Sequence, residues 1–196
     1  IENCGSGGQR MDYGMLKLLS LQSTSDQTDY IYNSYIAANV ASAVTPEQAG
    51  MWVYPYEDEE EHVIYNMVNG ILLRPYISGM VWKLSDNSME LIREGIALYK
   101  ELRNDLKTGV PFFPLGFCSV KDEAMAYGVQ CDETAYLSVF TPKTDTVDIP
   151  LQLDRKIKKV QVIYPKKENC EYRYENGVLT VHMPQKAAAR LFKIMY

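Results

Sequence analysis

The chain has 196 residues, a net charge of −5 and 46% hydrophobic residues, which suits one or two globular domains and argues against nucleic acid or anionic membranes as partners. No apolar run is long enough to cross a bilayer. The four cysteines lack Cys-x-x-Cys spacing and histidine companions, so no metal and no cofactor is expected, and free thiols fit a reducing, cytoplasmic setting.

In chain order, residues 1–4 read as a strand that runs into the glycine-rich turn Gly5-Ser6-Gly7-Gly8. Glycine there frees the backbone for positive φ and for close approach to a ligand. Met15, Leu16 and Leu19 mark a short helix over 11–19, and 21–25 is the next strand. Asp26 follows at the strand end, just before a helix over 28–43 with Thr28 as cap and Ile31, Tyr35, Ala38 and Ser42 on one face. Pro46 lies beyond its end.

A strand over 51–55 comes next, then the acidic run 57–61, read as first-turn residues that complement the helix dipole. The helix behind it buries Val63, Ile64, Met67, Val68, Ile71 and Leu72 and ends before Pro75. A strand over 77–84 carries Gly79 and Trp82. Asn87 with Glu90 makes a capping-box start for a helix through Ile92, Ile96, Tyr99, Leu102 and Leu106, which Gly109 and Pro111 end.

From Gly109 the apolar period becomes two. Strands are expected over 111–117, 125–131, 135–141, 147–153, 158–164, 171–174, 178–183 and 189–196, with a hairpin turn at Glu175-Asn176-Gly177. A Cys118–Cys131 bridge between neighbouring strands stays open. The expected architecture is α/β followed by all-β: parallel-sheet units over 1–108 and an antiparallel β-sandwich over 109–196.

The string Glu2-Asn3-Cys4-Gly5-Ser6-Gly7-Gly8-Gln9-Arg10-Met11-Asp12-Tyr13-Gly14, followed by Thr24-Ser25-Asp26-Gln27-Thr28-Asp29, resembles the active-site region of glycoside hydrolase family 36, the retaining α-galactosidases. The resemblance covers the chain to about Leu106 and is loose beyond. It implies that 1–108 is the C-terminal half of a (β/α)8 TIM barrel, with Cys4 ending the fifth strand and Asp26 the sixth. It implies that Asp26 is the general acid/base and that Cys4 and Gly7 contact the sugar. The family's nucleophile, an Asp in a Lys-x-Asp motif, lies upstream of the first motif. The chain therefore reads as a fragment, inactive alone, whose partners are an α-galactoside, the missing N-terminal part and, through unpaired barrel edges, further copies in a homo-oligomer. Ser23 stands where the family has Trp, and Gly5 where Ser is common.

Retaining glycosidases need two carboxyl groups roughly 5–5.5 Å apart, one attacking carbon and one shuttling the proton. Asp26 suits the second role. On local sequence alone it is more often an N-cap, and the joint match with the glycine loop reverses that. Cys4 alone would be a small buried residue. Arg10 and Asp12 could bind sugar hydroxyls, but are expected rather to pair with each other or with neighbours and so hold the loop. Trp52 and Trp82 could stack on a sugar face, but strand tryptophans are more often core, and His62 and His182 have no triad around them. The lysines at 156, 158, 159, 166 and 167 keep strands soluble. The alternatives are an α-N-acetylgalactosaminidase or galactosyltransferase of the same family, and a non-catalytic sugar-binding or structural module.

Overall fold

The computed structural model describes residues 1–167 and 169–196, and of Ser6 the backbone alone. Its first part runs β1 (Glu2–Asn3), α1 (Gly5–Gly8), α2 (Tyr13–Leu16), β2 (Leu21–Ser23), α3 (Tyr30–Val40), β3 (Ala49–Val53), α4 (Glu60–Ile71), β4 (Arg74–Ile77) and α5 (Asp86–Leu102). The four strands form one parallel sheet in chain order. Because side chains alternate across a sheet, β3 divides its residues cleanly. Ala49, Met51 and Val53 are fully buried in a core shared with α3 and α4. Gly50 and Trp52 face the other way, where the register sets them beside Ser23 of β2 and Arg74 and Tyr76 of β4.

Several local details differ from the sequence reading. Asp29, not Thr28, caps α3, its carboxylate accepting from the Ile31 and Tyr32 N–H groups at 2.9 Å. The residue that immediately precedes the first turn wins, and its charge also complements the dipole. Ser85, not Asn87, caps α5 and accepts from the Ser88 N–H. The Asp58 carboxylate fastens this cap, receiving the Ser85 N–H, the Ser85 hydroxyl and the Ser88 hydroxyl. Those donors, Ser88 first, hold its carboxyl below the usual range. The strand expected over 77–84 is displaced: β4 starts earlier and takes in Pro75. It pairs only with β3 among the described residues, so the missing proline N–H can face away from the ladder. Gly79 at φ 91° ends the extended run, and Val81–Lys83 is a single 3-10 turn.

The second part follows the period-two pattern closely: β5 (Val110–Phe112), β6 (Met125–Gln130), β7 (Thr134–Thr141), β8 (Thr146–Pro150), β9 (Lys159–Tyr164), β10 (Glu171–Glu175), β11 (Val178–His182) and β12 (Ala188–Met195). They form two antiparallel sheets, β5-β6-β7-β12-β9 and β10-β11-β8. Asn176 at φ 51° and Gly177 at φ 82° close the β10–β11 hairpin with the positive angles that a tight two-residue turn needs.

The five-stranded sheet is the middle layer. Leu137, Val139, Phe192 and Ile194 meet Ile149, Leu179 and Val181 of the smaller sheet in one core, the arrangement of a β-sandwich. Tyr127, Val129, Tyr136, Phe140 and Leu191 join the helices in the other. That second core is continuous from β3 through α4 into β6, β7 and β12. Tyrosine hydroxyls stitch the seam. Tyr35 donates to the Asp122 carbonyl, Tyr127 to the Leu72 carbonyl, Tyr164 to the Leu91 carbonyl and Tyr136 to the Asp105 carboxylate. Burial and that carboxylate push the Tyr136 phenol up to about 12. Cys118 and Cys131 are free thiols with no bridge between them, and burial pushes Cys131 up to about 11.

Candidate functional site

β1 and β2 are parallel neighbours, so the segments that leave them emerge at the same edge of the sheet. The carboxyl ends of parallel strands are where such folds assemble their sites. Asn3 fastens the two together: its amide nitrogen donates to Gln22 Oε1 at 2.8 Å and to the Arg10 carbonyl at 3.2 Å. The Gln22 amide in turn donates to the Ser23 carbonyl at 2.8 Å.

The glycine loop lies directly against the segment after β2. Gly7 has φ 64°, and a Cβ placed on it would stand 2.9 Å from Asp26 Oδ2 and 3.0 Å from the Asp26 backbone nitrogen. Gly8 has φ 86°, and a Cβ there would meet the Thr24 carbonyl oxygen at 2.3 Å. Only residues without a side chain let the two segments approach this closely. Thr24 is anchored from behind, its N–H and its hydroxyl both donating to the Gly50 carbonyl. Ser25 Oγ accepts the Gln27 N–H, and Asp29 then starts α3. Asp26 is thus held between a tight turn and a capped helix, exposed, with its carboxylate on the glycine ledge.

The other candidates fall as follows. Cys4 is exposed at the head of the loop, not buried as a lone cysteine would be expected to be. Asp12 is held by a neighbour and not by Arg10: its carboxylate caps α2, accepting the Met15 N–H at 3.0 Å. Trp52 is half-buried on the helix-free face of the sheet. Trp82 is 74% exposed in the turn after β4, which corrects its reading as core. His62 is buried at the start of α4 between Tyr30 and Tyr56, and burial holds its imidazole below the usual range. His182 is exposed beside Thr146. Among the described residues no three His, Cys, Asp or Glu side chains come together as a metal site.

Tyr54 is a member of the site that the sequence reading missed. Burial, and then the nearby Asp26 carboxylate, push its phenol upward. The available signal was its position two residues after Trp52, on the same face of an extended segment. A cavity of about 510 Å³ lined by Met11, Tyr35, Asn39, Cys118 and Val120 shares Gln27 with this region but not Asp26. The arrangement offers one carboxyl group, open to solvent above a flat glycine ledge, with the Tyr54 phenol within reach of its charge. It can exchange a proton with a group resting on the ledge.

No family model and no curated protein sequence matches this chain. Solved structures do. The galactosidase domain of the α-galactosidase–sucrose kinase AgaSK superposes with a TM-score of 0.77 at 20% identity. A variant of the family GH36 α-galactosidase AgaA from Geobacillus stearothermophilus, in complex with raffinose, gives 0.75 at 15%. The α-galactosidase from Lactobacillus brevis gives 0.75 at 16%. Each comparison covers 99% of this chain and 28% of the other, so the chain spans little more than a quarter of the length of the proteins it resembles. At these identities the likeness establishes the fold: residues 1–196 fold as a part of the α-galactosidases of glycoside hydrolase family 36 does.

Proposed function

We propose that this chain is the C-terminal part of a family 36 glycoside hydrolase, a retaining enzyme that releases terminal α-galactose. Asp26 is the general acid/base, and Cys4 and Gly7 lie against the sugar. The single observation that carries the reading is the seating of the Asp26 carboxylate on Gly7, which joins the two motifs into one ledge. The fold neighbours support it, being α-galactosidases, one of them holding raffinose.

On this reading β1 to β4 are the second half of an eight-stranded barrel, and 109–196 is the sandwich domain behind it. The nucleophile comes from a strand outside this chain. That carboxylate attacks the anomeric carbon while Asp26 gives its proton to the departing glycosidic oxygen; Asp26 then takes a proton from the water that hydrolyses the sugar–enzyme ester. The chain alone has one of the two carboxylates and is expected to be inactive.

The test is Asp26→Asn in the full-length protein. Hydrolysis of raffinose should fall by about 10²–10⁴-fold. An aryl α-galactoside, whose leaving group needs little protonation, should suffer less in its first step. Azide should restore turnover and appear as α-galactosyl azide, because a small anion needs no general base. An unaltered raffinose rate, or a loss of aryl α-galactoside turnover that azide does not restore, would remove Asp26 from this role.

A further inference from the structure

We propose that Asn33 and Asn66 are positioning residues for Asp26: they take the places on β3 that β2 gives up, and so let the segment after β2 turn away onto Gly7. The proposal rests on the reading of Asp26 as the acid/base. While β2 and β3 run together they are joined rung by rung. The Gln22 N–H donates to the Gln48 carbonyl at 2.8 Å and the Thr24 N–H to the Gly50 carbonyl at 3.1 Å. A parallel ladder repeats this pattern at every second residue. The next rung would join the Asp26 N–H to the Trp52 carbonyl and the Tyr54 N–H to the Asp26 carbonyl, and would seat Asp26 in the sheet. Instead the Trp52 carbonyl accepts from Asn33 Nδ2 at 2.9 Å, and the Tyr54 N–H donates to Asn66 Oδ1 at 3.1 Å. Two side-chain amides, one from α3 and one from α4, replace one backbone rung. The Asp26 backbone nitrogen lies against Gly7, 3.0 Å from where a Cβ there would stand. Just before the gap the strands are still tied, the Thr24 hydroxyl donating to the Gly50 carbonyl and Trp52 Nε1–H to Ser23 Oγ at 3.3 Å.

Core packing does not ask for these amides. Both asparagines are buried where α3, α4 and β3 share their apolar core, and a buried amide is costly unless it is paired. Each is paired on the end of β3. The direction of the Asn66 amide is fixed as well. Its Nδ2 donates to the His62 carbonyl at 3.0 Å and lies 3.3 Å from His62 Nε2, which leaves Oδ1 as the atom that faces Tyr54. The two helices are linked to each other, Asn69 Nδ2 donating to the Tyr30 carbonyl at 3.0 Å. Asp29 caps α3 and so sets Asn33 one turn into that helix. The helix that follows Asp26 thus returns a side chain to the rung that Asp26 vacates. A leucine at either position would leave a strand-end group unpaired. The segment after β2 could pair it again only by swinging back toward β3, which lifts Asp26 off Gly7.

The test compares raffinose with a dinitrophenyl α-galactoside in the full-length protein, through kcat/KM, which reports the step in which the acid acts. Dinitrophenolate leaves without a proton. Asn33→Leu and Asn66→Leu should each lower kcat/KM for raffinose by about 10–100-fold, the scale of a misplaced reacting group, and leave the aryl substrate within about threefold of the parent. Added to Asp26→Asn, either should cost raffinose less than about twofold more, because no acid is left to misplace. The ratio of the two substrates is taken on one preparation, so it does not depend on the fraction folded. Asn33→Ser and Asn66→Ser, too short to reach β3, serve where a leucine variant does not fold. Equal losses on the two substrates, full-sized losses on top of Asp26→Asn, or no loss at all would overturn the positioning role and leave Asp26 in place. A raffinose rate that Asp26→Asn itself leaves unchanged would remove the acid/base reading, and the positioning role with it.

Discussion

Glu61 in the first turn of α4 and Arg190 on β12, 129 residues apart, form a two-pronged ion pair, Oε1 to Nη2 at 2.7 Å and Oε2 to Nη1 at 2.9 Å. The guanidinium is fully buried and the carboxylate nearly so. Asn169 completes the clamp, donating to Glu61 Oε1 and accepting from Arg190. The pair fixes the first turn of α4 to the middle sheet, and α4 also supplies Asn66, which holds the Tyr54 backbone.

Removal of one partner strands the other charge in the core. Arg190→Met is expected to lower unfolding free energy by about 3–5 kcal/mol. The double substitution Glu61→Leu with Arg190→Met should recover most of that loss, because an apolar pair of similar volume leaves no buried charge. Urea unfolding of Glu61→Leu, Arg190→Met and the double variant reads this out. Losses that simply add would show that the two charges do not act as a pair.

Gly7→Ala tests the ledge. The new methyl group would lie 2.9 Å from Asp26 Oδ2, at a φ that side chains rarely adopt. The strain costs about 1–2 kcal/mol of stability. The displaced carboxylate should cost the full-length enzyme about 10²-fold in kcat, the usual scale for a shift near 1 Å at a reacting group. Steady-state kinetics with the fold checked by circular dichroism measures it. A kcat within twofold of the parent would mean that Asp26 does not work from this ledge.

The parts of this fold that were legible in sequence are those set by short-range periodicity. Alternation after Gly109 marked the eight strands seen among the described residues, although the one expected over 111–117 stops at Phe112, and Asn176-Gly177 named its hairpin. The apolar stripe of α4 was equally plain. Caps were misplaced because Thr28, Asp29, Ser85 and Asn87 all satisfy the same local rule, and only the chain's actual path chooses among them. Glu61 read as one more acid in a run from Glu57 because its partner lies on another sheet. The ledge was visible as two motifs, whereas the bond from Trp52 to Ser23 depends on the neighbouring register of β2 and β3 and left no trace in either segment.

The continuous core predicts how the chain comes apart. Met125, Phe140 and Leu191 lie in the same buried cluster as Val63, Met67 and Ile71 of α4. Each such side chain left in water forfeits about 1.5–3 kcal/mol. A chain cut after Thr108 should therefore show no cooperative unfolding transition, while residues 1–196 unfold in a single one. Far-ultraviolet circular dichroism against urea decides between them. A sharp transition in the truncated chain would mean that α4 and its strands form a core without the middle sheet.

His62 supplies a pH dependence whose sign follows from its surroundings. Burial holds the folded imidazole below its ordinary value of 6.5, against the opposing pull of Glu57, Glu59 and Asp29. In the window below 6.5 the unfolded chain binds a proton that the folded chain does not, so stability falls as pH drops through it. Above that window the contribution is fully present. The urea midpoint should therefore decline from pH 7.5 to 5.5, before most carboxylates begin to titrate at roughly pH 4. His62→Gln should flatten that decline, since glutamine carries no charge at either pH. The ring contacts with Tyr30 and Tyr56 are lost as well, so the variant starts from a lower midpoint at pH 7.5. The slope, not the midpoint, carries the result: an equal decline in parent and variant would place the acid sensitivity on another group.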